Sequence, residues 1–381
     1  MYKYDISDAD RAWVDEIWNK IDTKLSPVAV LNKDKIPYTT VNGVYDDMVK
    51  KDITWWTNGF WPGMMWLMYV GTGKEEYRTA AENAEKLLDD AFGVYDTLHH
   101  DVGFMWHISS GVNYRLFGGK PSRVRTTLAA DILASRFNIK GGYIRSWNND
   151  TPGSTGWVII DSMMNIPLLY WASREYEDDR FKAMAMAHAD KVLKTHIRPD
   201  GSVNHIVNLN PETGEYVESF GGQGYGVGSS WSRGQSWAIY GFTLSYIHTG
   251  KQEYLDAAKR VAHYFIANVC DDWLPKVDFR SPAEPVIYDS TAGACTACGL
   301  LEIAKHVPEY EKGMYINAAL KLLKAMNENL CDWTSEEQSI LQKGTEAYVC
   351  REQGKEVPII YGDYYFIEAI YKLKGFDMLF W

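Results

Sequence analysis

Helices of two kinds alternate along this chain, and the alternation limits the folds open to it. One kind is apolar on a single face. Beginning at Tyr254, apolar residues recur with the i, i+3, i+4, i+7 spacing of an amphipathic helix. The pattern returns at Tyr77 and Tyr315, and in a looser form at Phe181. Each copy follows a segment that is apolar nearly all round, such as residues 163–169 and 237–242, and such a helix must be buried on every side.

Repetition of this helix pair predicts two concentric rings of helices. A single pair cannot bury its own apolar face, so neighbouring pairs must stack and the ring must close. The predicted fold class is therefore all-α, an (α/α) barrel. Short turns separate the two helices of a pair near Gly73 and Gly250, which suit a helix C-cap. Strand signals are sparse, and residues 202–207 predict at most a short hairpin in a loop.

The chain is interpreted as one domain spanning residues 1–381. Its length exceeds the roughly 250–300 residues at which one compact core stops growing, which allows either two domains or one toroid. The sequence contains no linker rich in Pro, Gly or Ser, no charge block and no low-complexity run. This continuity favours the toroid.

The formal net charge of -11 at pH 7 argues against nucleic acid or anionic lipid as a partner, because both require clustered Lys and Arg. We expect a monomer or a weak homo-oligomer. The N-terminus lacks the basic start and apolar stretch of a secretory signal, and no apolar run approaches the ~20 residues of a membrane span. These features predict a cytoplasmic protein, with a periplasmic location as the alternative if a signal peptide was removed from a natural precursor.

Five cysteines are too few and too irregularly spaced for a disulfide framework in a chain of this size. Cys295 and Cys298 do form a Cys-x-x-Cys, but small residues surround them. We interpret the pair as packed thiols on a helix. A redox or zinc site is the less favoured alternative, since zinc would normally require a second pair of ligands.

Polar residues of unusual context precede the inner helices, where loops surround the central depression of such a barrel. Asp161 lies inside an apolar run at the start of an inner helix. Desolvation there would favour its protonated form, as a general acid near neutral pH requires. The alternative is an N-cap aspartate that accepts backbone N–H bonds, and from the residues alone capping is favoured.

Asp101 follows His99 and His100, and the three residue types together could bind a metal. Adjacent residues usually point in different directions and no His-Glu-x-x-His pattern is present, so no metal is predicted. Asp289 shares its Asp-Ser context with Asp161 and is interpreted as a helix cap near the site.

A Gly-rich stretch covers residues 221–235, but it follows no clear strand and lacks a P-loop Lys, so a phosphate cradle is disfavoured. We expect a pliable loop that carries Gln223, Trp231 and Arg233 to the depression. Arg233 could form a fork with a carboxylate, or it could instead satisfy loop carbonyls. Aromatic residues reach 14%, with 15 Trp and 25 Tyr, and such residues either line sugar sites or pack between helices.

The motifs resemble those of glycoside hydrolase family 88, the unsaturated glucuronyl hydrolases. Six of them occur in order along nearly the whole chain: WWTNGFW at 55–61, HHDVGF at 99–104, IIDSMMNIPLL at 159–169, SWSRGQSW at 230–237, DSTA at 289–292 and GDYY at 362–365.

The resemblance implies an (α/α)6 barrel in which Asp161 is the principal acid and base and Asp101 assists it. It also implies no cofactor and a set of sugar-contacting residues: Trp56, His100, Trp147, His205, Gln223, Trp231, Arg233 and Trp237. One position departs from the family pattern, because Gly222 stands where some members have a His before the Gln. We therefore expect recognition beyond the unsaturated ring to differ. The family's contacts there, in residues 343–354, do not align securely and are not carried over.

The implied substrate is an unsaturated uronyl oligosaccharide, and the implied chemistry is hydration of its C4=C5 enol ether rather than attack at the anomeric carbon. Two other interpretations remain open. The first is an unsaturated rhamnogalacturonyl hydrolase acting on pectin fragments, which has the same barrel. The second is a glycan-binding protein that uses a Trp-lined depression without turnover.

Overall fold

The computed structural model describes residues 4–148 and 151–381. In that part of the chain the α-helices are α1 (Asp8–Leu31), α2 (Met48–Lys51), α3 (Phe60–Thr72), α4 (Glu75–Leu87), α5 (Val102–Trp106), α6 (Ser110–Phe117), α7 (Lys120–Ser135), α8 (Ser162–Asn165), α9 (Pro167–Tyr176), α10 (Asp179–Thr195), α11 (Ser232–Thr249), α12 (Gln252–Val269), α13 (Ser290–His306), α14 (Glu309–Asn329) and α15 (Ile360–Lys374). Short 3-10 helices cover Trp56–Gly59, Leu88–Thr97, Ser154–Gly156 and Glu352–Gly354.

The helices form two rings, as the alternation predicts. The inner ring contains α3, α5 with α6, α8 with α9, α11, α13 and α15, and contacts between α15 and α3 close it. The outer ring contains α1, α4, α7, α10, α12 and α14, each packed behind inner helices. The described chain is therefore an all-helical (α/α)6 barrel, and this prediction is confirmed.

Burial follows the period of the sequence. The first fourteen residues of α11, from Ser232 to Ser245, are all buried, whereas α12 buries one face that includes Tyr254, Val261 and Phe265. Because an inner helix is surrounded by protein, it can carry an apolar residue at any position. Left-handed C-caps end α3 at Gly73 and α11 at Gly250, where the turns were expected.

Strands contribute more than the sequence signal indicated. The described strands are β1 (Thr40–Val41), β2 (Val44–Tyr45), β3 (Phe137–Asn138), β4 (Tyr143–Ile144), β5 (Trp157–Ile159), β6 (Ile206–Leu209) and β7 (Tyr216–Phe220). The predicted hairpin exists, but it starts at Ile206 and its second strand is β7. Strand β5 pairs antiparallel with β6 as well, so a three-stranded sheet leads into the start of α8.

Aromatic side chains fill the middle of the inner ring. Trp381 stacks on Tyr365 with 6.0 Å between ring centroids and contacts Phe104 at 5.9 Å. Phe104 in turn contacts Trp237 and Trp56, each at 5.3 Å. The ring is therefore a packed core, and the loops before the inner helices lie above an aromatic floor.

Two further sequence predictions concern the cysteines and the membrane. Cys295 and Cys298 are buried on α13, as predicted, and burial raises the pKa of both thiols well above the ordinary value. Cys270, in contrast, is exposed. Within the described residues, every helix is either too short or too polar to cross a membrane.

Candidate active site

Three carboxylates stand at the same place in their helix pairs, directly before an inner helix. Asp101 precedes α5, Asp161 precedes α8 and Asp289 precedes α13. In the described structure, none of the three side chains accepts a capping hydrogen bond from its own helix. The N-cap interpretation favoured for Asp161, and the cap assigned to Asp289, are therefore wrong. Their partners are other side chains: His99, His100 and Asn165 for Asp101, His205 for Asp161 and Arg233 for Asp289.

Asp161 is nearly buried, with 8% of its surface exposed. Its Oδ2 atom is inaccessible and lacks a hydrogen-bond partner among the described residues. The imidazole of His205 faces this oxygen, and its Nε2 atom lies 3.5 Å from Oδ2. A carboxyl oxygen in this setting can take up or release a proton without breaking an existing hydrogen bond.

The environment of His205 determines which of its nitrogens faces Asp161. Its Nδ1 atom accepts a hydrogen bond of 2.9 Å from the backbone N–H of Gln223. In the neutral ring the proton must therefore sit on Nε2, the atom that points toward Asp161. The ring centroid of Trp231 lies 4.2 Å from that of His205, which restricts rotation of the imidazole.

Gly222 brings the loop close enough for this contact. Its φ is +56°, and a Cβ at this position would lie 2.1 Å from His205 Nδ1. A histidine or any other side chain at this position would not fit this backbone, because the chain passes directly over the His205 ring.

Asp101 lies in a very different environment from Asp161. Its Oδ1 atom accepts a 2.8 Å hydrogen bond from the Asn165 side chain and lies 3.0 Å from His100 Nε2, while Oδ2 lies 3.4 Å from His99 Nδ1. Burial raises the pKa of Asp101, but His100, His99 and Asn165 outweigh it, so that pKa is below its usual value. Asp101 is accordingly ionised at neutral pH.

His100 is the positive partner of this pair. Its Nδ1 atom contacts the carbonyl of Ser146 at 2.9 Å, which requires a proton on that nitrogen. Burial lowers the pKa of His100, but Asp101 outweighs burial and the pKa lies above its usual value. His99 differs, because burial lowers its pKa to about 4.

His99, His100 and Asp101 converge more than the sequence suggested. One ligand atom from each lies within 4.8 Å of the others, so the expectation that adjacent side chains diverge is wrong here. The absence of a metal nevertheless stays our prediction. Asp101 favours the imidazolium form of His100, and an imidazolium has no lone pair for a metal ion.

The guanidinium of Arg233 is not available to bind the carboxylate of a ligand in a bidentate fork. With 1% of its surface exposed, its guanidinium pairs with Asp289 and donates hydrogen bonds of 2.6 Å to the carbonyls of Thr345 and Glu346. Burial lowers the pKa of Arg233, but Asp289 outweighs burial and the pKa is raised. This is the alternative in which the arginine satisfies loop carbonyls, and the structure supports it over a free fork.

The remaining residues that were predicted to contact the sugar differ in how much of their surface is exposed. Trp56, Trp147 and Gln223 are half-buried at the site, and Trp147 lies 6.5 Å from His100 between ring centroids. Trp237 is fully buried and packs on Phe104, so it offers no surface to a sugar in this structure. Trp231 is also buried, between His205 and the guanidinium of Arg233.

Asn165 and Asp278 were not singled out from the sequence. Asn165 lies one helical turn after Asp161, and its side chain donates a hydrogen bond to Asp101. The sequence could have indicated it, because it is a polar residue inside the apolar run 159–169. Asp278 accepts backbone N–H bonds from Tyr225, Ser230 and Arg280 and so holds the Gly-rich loop in place. Because Asp278 lies far from the Gly-rich loop in the sequence, no local pattern indicated that it holds this loop.

Known proteins resemble this chain over most of its length. The sequence profile of Glycosyl Hydrolase Family 88 matches residues 32–277. An unsaturated glucuronyl hydrolase from a Bacillus species is 35% identical over 347 residues, covering 90% of this chain and 91% of that protein. An unsaturated chondroitin disaccharide hydrolase from Streptococcus pneumoniae is 33% identical over 350 residues, covering 90% and 87%.

Solved structures agree with these matches. The crystal structure of unsaturated glucuronyl hydrolase from Streptococcus agalactiae superposes with a TM-score of 0.90 at 28% identity, covering 99% of this chain and 94% of that one. A variant from the same organism, complexed with dGlcA-GalNAc6S, has a TM-score of 0.81 at 27% identity, covering 97% and 93%.

Proposed function

The chain belongs to glycoside hydrolase family 88, and from that premise we propose that it releases C4=C5-unsaturated glucuronic acid from the non-reducing end of glycosaminoglycan-type oligosaccharides. The relatives that share about a third of its residues carry this activity in their names. The unsaturated disaccharide bound to the Streptococcus agalactiae variant is a substrate of this class.

The observation that carries the proposal is the contrast between the two site carboxylates. Asp101 accepts from Asn165 and faces two histidines, whereas Asp161 Oδ2 is buried, lacks a hydrogen-bond partner in the described residues and faces His205. One carboxylate is thus held ionised, and the other has an oxygen that no hydrogen bond from the described residues occupies. Two carboxyl groups in different environments commonly take different roles in catalysis.

Asp161 supplies the first step of the reaction. Its carboxyl donates a proton to C4 of the unsaturated ring, the C4=C5 electron pair forms the new C–H bond, and positive charge develops at C5 and the ring oxygen. The ionised Asp101 stabilises this charge electrostatically. As Asp161 becomes a carboxylate, the Nε2–H of His205 is placed to interact with it.

The same carboxylate completes the reaction as a base. It removes a proton from water while the water oxygen bonds to C5, which restores the protonated Asp161 and forms a hemiketal. The hemiketal then opens by breaking the C5–O5 bond, leaving a ketone at C5 and a hemiacetal at C1. Collapse of the hemiacetal releases the glycan as an alcohol. One water is consumed, and the steps require neither metal nor cofactor.

Conversion of unsaturated disaccharides in chelator tests the proposal. The protein should abolish the ultraviolet absorbance of the conjugated C=C–carboxylate in disaccharides from chondroitin, hyaluronan or heparin, while folded Asp161→Asn protein leaves it unchanged. Faster conversion of an unsaturated galacturonyl disaccharide would favour the pectin interpretation. Binding without any loss of absorbance would favour a non-catalytic glycan-binding protein.

A further inference from the structure

We propose that Asn165 is a positioning residue of this active site, whose side-chain amide holds Asp101 in one orientation and ties it to the segment that carries Asp161. The inference rests on the proposed hydrolysis, since it assigns Asp101 its electrostatic role. Asn165 itself is fully buried, so it acts through the aspartates rather than on a substrate.

The amide connects three points of the site. Its Nδ2 atom donates to Asp101 Oδ1 at 2.8 Å and to the backbone carbonyl of Asp161 at 3.3 Å. Its Oδ1 atom accepts from the backbone N–H of Phe104 at 2.8 Å. One side chain on α8 therefore bonds the start of α5 and the residue that precedes α8.

These partners determine which way the amide faces. A backbone N–H can only donate, so the Asn165 atom that faces Phe104 must be the oxygen. The other end is then the NH₂ group, which can only donate, so Asp101 Oδ1 must act as an acceptor. The amide thus favours the ionised form of Asp101 at the oxygen that also faces His100.

A close backbone approach keeps the two segments in register. A Cβ on Gly103 would lie 2.6 Å from Asn165 Cα and 2.7 Å from both its carbonyl oxygen and its Oδ1 atom. Only glycine fits between the two segments of the chain at this point. Because α5 and α8 touch through their backbones here, the amide has little freedom to follow Asp101 if that side chain moves.

The charges around Asp101 predict how a carboxylate at position 165 would behave. Asp101 faces His99 and His100 from its own loop, Asn165 from α8, and the nearby charge of Arg136. Asn165→Asp would place two carboxylates in direct contact, and in such a pair the pKa of one is strongly raised. Once protonated, that group could again donate a hydrogen bond, so the defect should be reversible with pH.

The decisive experiment compares the pH profiles of kcat and KM for wild-type protein, Asn165→Asp and Asn113→Asp. Asn113 is a matched control, because its Nδ2 atom donates at 2.8 Å to the buried carboxylate of Glu85, outside the active site. We expect Asn165→Asp to lower kcat about 10²-fold at neutral pH with KM little changed, since misplaced catalytic groups lose about this much. The deficit should shrink at least about tenfold in acid as one carboxyl is protonated. Asn113→Asp should keep the wild-type profile.

A second variant keeps the test independent of substrate and of the folding of Asn165→Asp. Asn165→Ser removes the amide, so Asp101 is free to turn away from His100, and the pKa of His100 measured by NMR should fall. Its kcat deficit should not recover in acid. A pH-independent deficit in Asn165→Asp, or an unchanged His100 pKa in folded Asn165→Ser, would overturn the proposal. If wild-type protein converts no disaccharide, the proposed function fails, while the His100 titration still decides the role of Asn165.

Discussion

His205 and Asp161 face each other across 3.5 Å between Nε2 and Oδ2, although they lie on separate segments of the chain. The backbone of Gln223 occupies the other ring nitrogen of His205, so the neutral imidazole presents an N–H to the carboxyl. An N–H in this position stabilises the carboxylate that forms after proton transfer. The pair therefore suits a carboxyl group that must first donate a proton and then accept one.

Asp161→Asn should remove nearly all turnover, because an amide can neither donate nor accept the proton. General acid–base catalysis is typically worth 10²–10⁴-fold, so kcat should fall by at least about 10²-fold while disaccharide binding survives. Since the Asp161 side chain caps no helix, the thermal midpoint should change little. Asp178→Asn is the control, because Asp178 is a true N-cap of α10 outside the site. Near-normal turnover by folded Asp161→Asn would leave the assignment of Asp161 false.

Asp101→Asn should also reduce kcat severely, although with a larger residual rate than Asp161→Asn. The pKa of His100 is raised by the Asp101 carboxylate against the opposing effect of burial. Removing the charge should therefore bring the His100 pKa below its usual value, which NMR titration of the ring can measure. An unchanged His100 pKa would mean that the two side chains do not pair in solution.

Gly222→Ala should disturb the contact that orients His205. The added Cβ would meet His205 Nδ1 at 2.1 Å, and φ of +56° is unfavourable for Ala by about 1–2 kcal/mol. We expect kcat to fall about tenfold or more as the loop and the imidazole shift. Gly226→Ala is a matched control in the same loop, since a Cβ there meets nothing within 4 Å. Equal kinetics for the two variants would contradict the role given to Gly222.

Arg233→Met should act first on stability. It leaves the fully buried Asp289 without its partner, and breaking a buried ion pair in this way costs about 3–5 kcal/mol. Adding Asp289→Ala should recover part of the loss, because the uncompensated charge is then removed. Chemical denaturation of the two single variants and the double variant measures the coupling. Additive losses would show that the pair is not coupled.

Acid should destabilise the protein through its buried neutral histidines. Burial lowers the pKa of His196 to about 4 and that of His188 to about 3. Below the unfolded value of about 6.5, the unfolded chain binds protons that the folded one does not, so each histidine lowers the free energy of unfolding by about 1.4 kcal/mol per pH unit. Their contribution is constant above about pH 6.5 and is lost as pH falls toward 4.

Denaturation at several pH values between 7.5 and 4.5 measures this slope. His196→Gln keeps a donor for the Val158 carbonyl, which His196 Nε2 contacts at 3.1 Å, but has no titrating ring. Its slope in acid should be smaller by about 1.4 kcal/mol per pH unit. A slope equal to that of wild-type protein would contradict the low pKa of His196.

Much of the fold was predictable because it depends on residues that are close together in the chain. The spacing of apolar residues separates the fully buried α11 from the one-sided α12, and Gly250 marks the turn between them. Six motifs indicated the family, and the relatives and the family profile confirm that resemblance. The hairpin at Ile206 was predicted only in outline, since pairing with β5 depends on a segment about 50 residues away.

The sequence by itself therefore determined the two rings of helices, the family and the identity of the candidate aspartates. Only the tertiary structure decided what each side chain does there. It joins Arg233 to Asp289 and to the Thr345 carbonyl, and it buries Trp237. It also places the Asp161 carboxyl beside His205 rather than in a capping hydrogen bond. The reason is physical: helix period is a property of neighbouring residues, whereas pairing, burial and protonation depend on groups that come together only when the ring closes.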